Sequence, residues 1–336
     1  MEFINCNSCG SNHTKVLYEV KERLIGKENF NIVQCKQCGL VYTNPRPTVK
    51  EIEKYYPPNY SPFKFSYPEP LFSNGIGILR RILKKKILML HYGYFANSEI
   101  SPFKKNFLRN ITLPLKYRIG WILPPYKEKG KILDIGCSTG HYLFALRQLG
   151  WDTYGVEPDP KSSSWARREM GLNVFTGRFE EIELPLDYFN VVTLWHTLEH
   201  FHNPLAALRK VHRILKTGGL VICGVPDVAT VNRKVFGSKW SAWEVPRHLY
   251  HFSFSSIVKL LHKSGFELLK VERPPYLAIT ILSLQNLLVD YFPEGEKWVK
   301  RFLTPANSKL TFFLSAIEWF LSFTGQTGEM VIYARR

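Results

Sequence analysis

Two groups of residues in this 336-residue chain have the types and spacing needed for chemistry. The first is KILDIGCSTGHY at 131–142, followed by YGVEPDP at 154–160. An apolar strand carries Asp134, a Gly-bounded loop opens a helix, and a second strand ends in Glu157, twenty-one positions after Gly136. Gly136 and Gly140 let the backbone turn sharply and approach a ligand, and free N–H groups at the helix start favour a carboxylate or phosphate. Glu157 at the strand tip is placed to accept hydrogen bonds from ribose hydroxyls. The loop lacks both the G-x-G-x-x-G of NAD sites and the G-x-x-x-x-G-K-[ST] of phosphate loops, so a different adenosine ligand is expected.

The second group is Cys6, Cys9, Cys35 and Cys38, two C-x2-C pairs separated by twenty-five residues. Four thiolates at this spacing can close a tetrahedral zinc site, and a closed site with no open position serves structure. The start MEFINCNSCG has no basic region followed by an apolar run, so a cytoplasmic setting is expected, where disulfides are disfavoured. Cys137 and Cys223 stand alone and read as small apolar fillers.

Imidazoles supply a third set of candidates. In NVVTLWHTLEHFHNP, His196, Glu199 and His200 lie within five residues where a strand ends, and such groups can act as a general base toward a hydroxyl; polar capping of the strand end is the alternative. Further on, SKWSAWEVPRHLYHFS offers His248 as a further catalytic candidate and Trp240, Arg247, Tyr250 and His251 as substrate contacts. Arg247 suits a phosphate or carboxylate, and Trp240 and Trp243 either stack on a sugar ring or fill a lid.

The pattern D-x-G-x-x-x-G after a first strand, with an acid ending the second, resembles the opening motifs of class I S-adenosylmethionine (SAM) methyltransferases. The resemblance implies that Asp134, Gly136, Cys137, Ser138, Gly140 and Tyr142 line the cofactor, with Glu157 and Pro158 at its ribose and His196 beside it. PRHLYHFS resembles a segment recurring in zinc-ribbon methyltransferases of polysaccharide and natural-product pathways. Sugar C-methyltransferases with a four-cysteine module are similar at the ribbon and core, but the segment after the sixth strand here does not repeat their second nucleotide-type domain. Base methylation is not supported: WHTLEH replaces the N/D-P-P-Y/F of amine methylation, and Cys223 lies inside an apolar strand.

The elements that must position these residues follow from periodicity. From Lys131 the chain alternates strands (131–136, 151–157, 172–176, 190–196, 219–225, 266–272) with helices (140–149, 161–170, 203–215, 255–264), and GEMVIYARR adds a seventh strand expected antiparallel beside the fifth. The expected fold is α/β, a doubly wound, seven-stranded, mostly parallel Rossmann-like sheet, with a small N-terminal zinc ribbon and a helical insertion before the last strand. The expected domains are 1–47, the ribbon; 48–125, a connector with one short helix at 49–55 and a basic helical segment; and 126–336, the SAM-binding domain. Its insertion, 274–327, holds two apolar runs, LAITILSLQNLLV and LTFFLSAIEWFLSF, both too short for a bilayer, which takes ~20 residues.

Residues 76–118 carry ten Lys or Arg against the single acid Glu99, within a formal net charge of +17. Ile78, Leu79, Ile82, Leu83, Leu88 and Leu90 share one side of a helix there, beside Arg80, Arg81, Lys84, Lys85 and Lys86. Such a helix packs on its own domain, lies on an anionic membrane surface, binds RNA or meets a phosphorylated substrate. The expected function is SAM-dependent methylation of a hydroxyl or carbon of a small metabolite, a sugar nucleotide or a lipid-linked glycan, with zinc as a structural ion. Peripheral contact with the inner membrane face would run through residues 76–95 and 277–323. The alternatives are an RNA-modifying or RNA-binding protein and a non-catalytic SAM-binding scaffold.

Overall fold

The computed structural model describes residues 1–26, 28–57, 60, 65–68, 70–72, 77–95, 101–117, 122–305 and 307–336. Parts of the expected connector and, within the basic segment, Ile76, Glu99 and Arg118 lie outside the described residues. The chain opens with β1 (Thr14–Lys21), β2 (Asn29–Cys35) and β3 (Val41–Thr43), followed by α1 (Ile78–Tyr92) and α2 (Pro102–Tyr117). Then come β4 (Lys131–Ile135), α3 (His141–Gln148), β5 (Asp152–Glu157), α4 (Pro160–Arg168), β6 (Asn173–Thr176) and β7 (Phe189–Trp195). The order continues with α5 (Pro204–Ile214), β8 (Leu215–Pro226), α6 (Val231–Phe236), β9 (Tyr250–His251), α7 (Phe254–Lys263) and β10 (Glu267–Glu272). It closes with α8 (Leu277–Tyr291), α9 (Glu296–Phe302), α10 (Ser308–Phe323) and β11 (Glu329–Arg335).

The seven-stranded sheet runs β10-β11-β8-β7-β4-β5-β6. β4, β5 and β6 pair in parallel, and β10 and β11 pair antiparallel. β7 reads FNVVTLW and is buried along six of its seven residues, the continuous apolar run expected of a central strand covered on both faces. Its flanking helices start where the sequence supplies caps. Asp159 accepts from the Ser162 N–H with Pro160 in the first turn, and Ser253 and Ser256 form a reciprocal capping box at α7.

Most expected boundaries agree within a residue or two. β8 is the larger difference: it begins at Leu215, not 219, and Gly218 and Gly219 lie inside it. The helix expected at 49–55 is a single 3-10 turn, Ile52–Tyr55.

Two compact units emerge, and they do not follow the linear order of the chain. One comprises residues 61–193 and 214–222, and the other residues 1–60, 194–213 and 223–336. In the first, α1 has two characters. Ile87, Leu88 and Leu90 are buried, whereas Ile78, Leu79, Ile82 and Leu83 of the preceding turns are exposed beside the basic residues. His91 on α1 and Thr112 on α2 join these helices at 2.9 Å. In the second unit, β1, β2, β3 and β9 form one antiparallel four-stranded sheet. The cysteine module therefore does not close on itself: its last strand pairs Val41 with His251 and Tyr42 with Tyr250, some two hundred residues later.

Candidate functional site

The nucleotide-type loop lies wholly in the first unit. Gly136 and Gly140 have φ of +78° and +83°, and Ser138 takes the left-handed region at +49°. Gly140 is required twice over, since a Cβ there would sit 2.5 Å from Leu172 Cδ1 and 3.1 Å from Ala166 Cβ. Gly155 on β5 plays the same part for Cys137, whose Sγ would lie 2.6 Å from an added Cβ. Cys137 is buried with Leu143, Ala166, Met170, Leu172 and Val174, and burial first, then Asp134 and Glu157, pushes its thiol pKa well up. Its side chain fills the core beneath the loop. Tyr142 is buried and donates to the Ile122 carbonyl at 3.0 Å, and Pro158 is exposed.

Glu157 is the centre of this loop. Each of its carboxylate oxygens accepts one backbone N–H, Oε2 from Ser138 at 2.8 Å and Oε1 from Asp159 at 2.9 Å. A carboxylate oxygen has room for a further donor, so both oxygens retain capacity for a ligand's hydroxyls. Burial raises its pKa to about 7 against the lowering effect of those two N–H groups. Asp134 is likewise raised to about 7 by burial, although the Thr193 hydroxyl donates to it at 2.6 Å. Thr193 was not among the expected site residues; its only signal is a polar residue within the apolar run of β7.

The imidazoles gather in the second unit. His196 follows β7 with φ +48°, its N–H bonded to the Gly224 carbonyl at 2.9 Å. Its Nε2 lies 3.2 Å from Glu329 Oε1 and its ring stacks on Tyr276 with centroids 5.5 Å apart. Nδ1 stands 3.7 Å from Glu199 Oε1, beyond hydrogen-bonding distance. Burial works to lower its pKa, but Tyr276, Glu329 and Glu199 outweigh it and hold it well above the ordinary value. Glu329 and Tyr276 come from β11 and from the start of the insertion, segments whose sequence offers no motif.

Glu199, His200 and His248 form a second, tighter cluster, with one ligand-type atom from each within 4.8 Å of the others. Glu199 is 1% exposed, and among the described residues neither of its oxygens has a hydrogen-bond partner. Burial would raise its pKa, but the neighbouring histidines, His196 foremost, hold it below the usual range. Burial first, then His248, lowers His200 to about 4. The two rings meet edge to face with centroids 4.7 Å apart.

The residues expected to meet substrate are placed differently from one another, and all four are buried. Arg247, 2% exposed, contacts Glu22 Oε1 at 3.1 Å, Glu244 Oε1 at 3.1 Å and the Tyr55 carbonyl at 3.0 Å. Its guanidinium is thus occupied by internal carboxylates. Tyr250 donates to the His202 carbonyl and accepts from Arg46. Trp240 and Trp243 pack edge to face at 5.0 Å, and His251 packs against Trp243 at 4.8 Å. Burial, with His248 beside it, pushes the His251 pKa well down.

The four module cysteines are free thiols that lie together, Cys6 to Cys38 at 3.4 Å and Cys9 to Cys35 at 3.5 Å. A tetrahedral ion with Zn–S of about 2.3 Å separates its sulfurs by roughly 3.8 Å, so the donors fit that geometry with little movement, whereas a disulfide would bring two of them to about 2.05 Å.

A profile describing a methyltransferase domain matches residues 109–271. The ubiquinone biosynthesis O-methyltransferase of Maricaulis maris is 30% identical over 193 residues, covering 53% of this chain and 71% of that protein. Its namesake from Cereibacter sphaeroides is 27% identical over 153 residues, covering 41% of this chain, and the chain spans 60% of that relative's length. A SAM-dependent methyltransferase structure from Mesorhizobium loti is similar at 16% identity with a TM-score of 0.41, covering 62% of this chain and 92% of the other. The chain belongs to the class I SAM-dependent methyltransferases.

Proposed function

We propose that the chain transfers the methyl group of SAM to a hydroxyl oxygen of a small acceptor. The observation that carries this reading is the similarity to relatives named as O-methyltransferases, among them one of which this chain covers 71% at 30% identity. Glu157 would hold the ribose hydroxyls, and the N-terminus of α3 the methionine carboxylate. In the transfer, the S–CH3 bond breaks as the O–CH3 bond forms in line, leaving S-adenosylhomocysteine. His196 Nδ1 would take the acceptor's proton in the ring's neutral form, which Glu329 on the opposite nitrogen makes a strong base but a minor species near neutral pH, so transfer should quicken as pH rises. Zinc on Cys6, Cys9, Cys35 and Cys38 would hold the four-stranded sheet together and take no part in the transfer.

No helix among the described residues is long and apolar enough to cross a membrane. Contact with an anionic lipid surface is supported by Ile78 and Leu79, each 80% exposed next to Arg80 and Arg81. Phe312, Phe320 and Phe323 of α10 add a second exposed apolar face. Such contacts suit an acceptor that partitions into lipid.

Labelled-methyl transfer from SAM to a panel of catechols, phenols, sugar nucleotides and lipid-linked sugars tests the reading. Incorporation into a hydroxylated acceptor, released as a methyl ether, is the expected result. Incorporation only at carbon, or SAM binding with no transfer to any member of the panel, would overturn it.

A further inference from the structure

We propose that Glu199, His200 and His248 form a binding site for a divalent transition-metal ion, separate from the four-cysteine module. All three residues belong to the second compact unit, where Glu199 and His200 sit on the short turn after β7 and His248 precedes β9. The donor set of two imidazoles and one carboxylate suits first-row ions of the Zn2+, Fe2+ or Co2+ kind and leaves coordination positions open.

Three observations converge on it. First, both imidazoles are oriented as metal-binding histidines are, through a hydrogen bond from the other ring nitrogen. His248 Nδ1 lies 2.9 Å from the Ala242 carbonyl and His200 Nδ1 lies 3.0 Å from the Arg247 carbonyl. A carbonyl can only accept, so His248 Nδ1 donates and Nε2 is the atom it offers to a ligand; His200 Nδ1 is shared between the Arg247 carbonyl and the Tyr56 hydroxyl at 2.9 Å, which leaves its Nε2 as the ligating atom. Second, Glu199 is almost wholly buried and has no hydrogen bond to either oxygen among the described residues. An ionised carboxylate left in that condition is costly unless a cation or water meets it. The nearest imidazole nitrogens, His196 Nδ1 at 3.7 Å and His248 Nε2 at 4.0 Å, stand beyond hydrogen-bonding distance of it, as groups do around a space.

Third, the backbone on two sides of the cluster is held in the left-handed region at non-glycine residues, His196 with φ +48° and Glu244 with φ +34°. Backbone of this kind is retained where function needs a fixed side-chain placement. Glu244 Oε2 stands 3.6 Å from His248 Nε2 and adds a second carboxylate beside the same ring. Donor atoms now within 4.8 Å need to close by roughly 1 Å to reach metal–ligand distances of about 2.0–2.2 Å, which side-chain rotation can supply. A bound ion would present an open position to the acceptor oxygen and ease loss of its proton. That role rests on the hydroxyl-acceptor reading above; binding of the ion does not.

The test is metal counting and Co2+ titration of the full-length, zinc-loaded chain. Cobalt on thiolates gives strong sulfur-to-metal absorption, whereas cobalt on two imidazoles and a carboxylate gives only weak ligand-field bands. The expected result is one further Co2+ per chain without thiolate absorption, bound at least about tenfold more weakly by both Glu199→Gln and His248→Gln, while the zinc on the cysteines stays in place. The wild-type chain taking up no further ion would overturn the proposal whether or not the variants fold. So would a further ion that both variants bind as tightly as wild type. SAM titration of the same wild-type sample separates the two readings: SAM binding without a second ion sinks only the metal site.

Discussion

With Glu157 at the ribose as proposed, its ionisation should control SAM affinity across neutral pH. The carboxylate would have to accept from ribose hydroxyls while already accepting from the Ser138 and Asp159 N–H groups, and the ionised form offers lone pairs to all of them. Burial raises its pKa to about 7, so protonation competes with the ligand in the range where most assays are run. For one proton released on binding, the apparent Kd is nearly constant above pH 8 and rises by about tenfold, close to 1.4 kcal/mol, on going from pH 8 to pH 6. The sign follows from the ligand preferring the deprotonated group: affinity is lost as pH falls through the pKa. Asp134, also raised to about 7 and electrostatically coupled to Glu157, steepens the dependence if its charge is needed too. Glu157→Gln removes the titration and places an amide against one of the two backbone N–H donors. At about 1.5–3 kcal/mol for each charge-assisted hydrogen bond lost, SAM binding should weaken by one to two orders of magnitude, and the pH slope should flatten. Calorimetric titration at pH 8, 7 and 6 reads both effects. An unchanged Kd between pH 8 and 6 in the wild type, or a full slope retained by Glu157→Gln, would refute the assignment of Glu157 to the ribose.

Replacing Arg247 by alanine leaves Glu22, fully buried, and Glu244 without their cation, so thermal or urea unfolding should show a loss of about 3–5 kcal/mol; a loss below about 1 kcal/mol would mean the contacts are not made. Stripping metal from the cysteines should raise hydrogen exchange in β1–β3 and also at Tyr250 and His251, because β9 is the fourth strand of that sheet; exchange confined to the first forty-odd residues would contradict the shared sheet. His196→Asn should lower kcat by roughly 10²- to 10⁴-fold while SAM affinity stays near wild type, as measured by single-turnover methyl transfer and calorimetry. Exchanging Ile78, Leu79 and Ile82 for serine should reduce co-flotation with anionic vesicles without changing SAM affinity, and undiminished flotation would remove α1 from any lipid contact.

How far the sequence could be read depended on whether an element's meaning was local. The loop from Asp134 to Gly140 and the acid at Glu157 were legible because glycine conformation, strand end and helix start all lie within thirty residues, and both cysteine pairs were legible by spacing alone. Alternation from Lys131 onward placed the strands and helices of the sheet within a residue or two, the start of β8 excepted. What spacing could not reveal was partnership over long separations. Arg247 looked like an anion-binding residue because a guanidinium suits a phosphate or carboxylate; its carboxylates come from within, from Glu22, 225 positions earlier, and from Glu244. Tyr250 and His251 looked like substrate contacts through the resemblance of PRHLYHFS, and their pairing with Val41 and Tyr42 on β3 is invisible at that separation. Glu329 and Tyr276, the partners of His196, belong to a segment whose composition speaks only of helix and strand.

The same distance argument explains why the histidines cluster as they do. β9 must pair with β3, so the preceding loop, with its Glu244, Arg247 and His248, is carried to the turn after β7 that bears Glu199 and His200; the Leu249 N–H donates to the Glu199 carbonyl at 2.9 Å and pins the two segments together. The cysteine module would thus act on the proposed metal site without touching it: β3 holds β9, and β9 sets where His248 stands relative to Glu199.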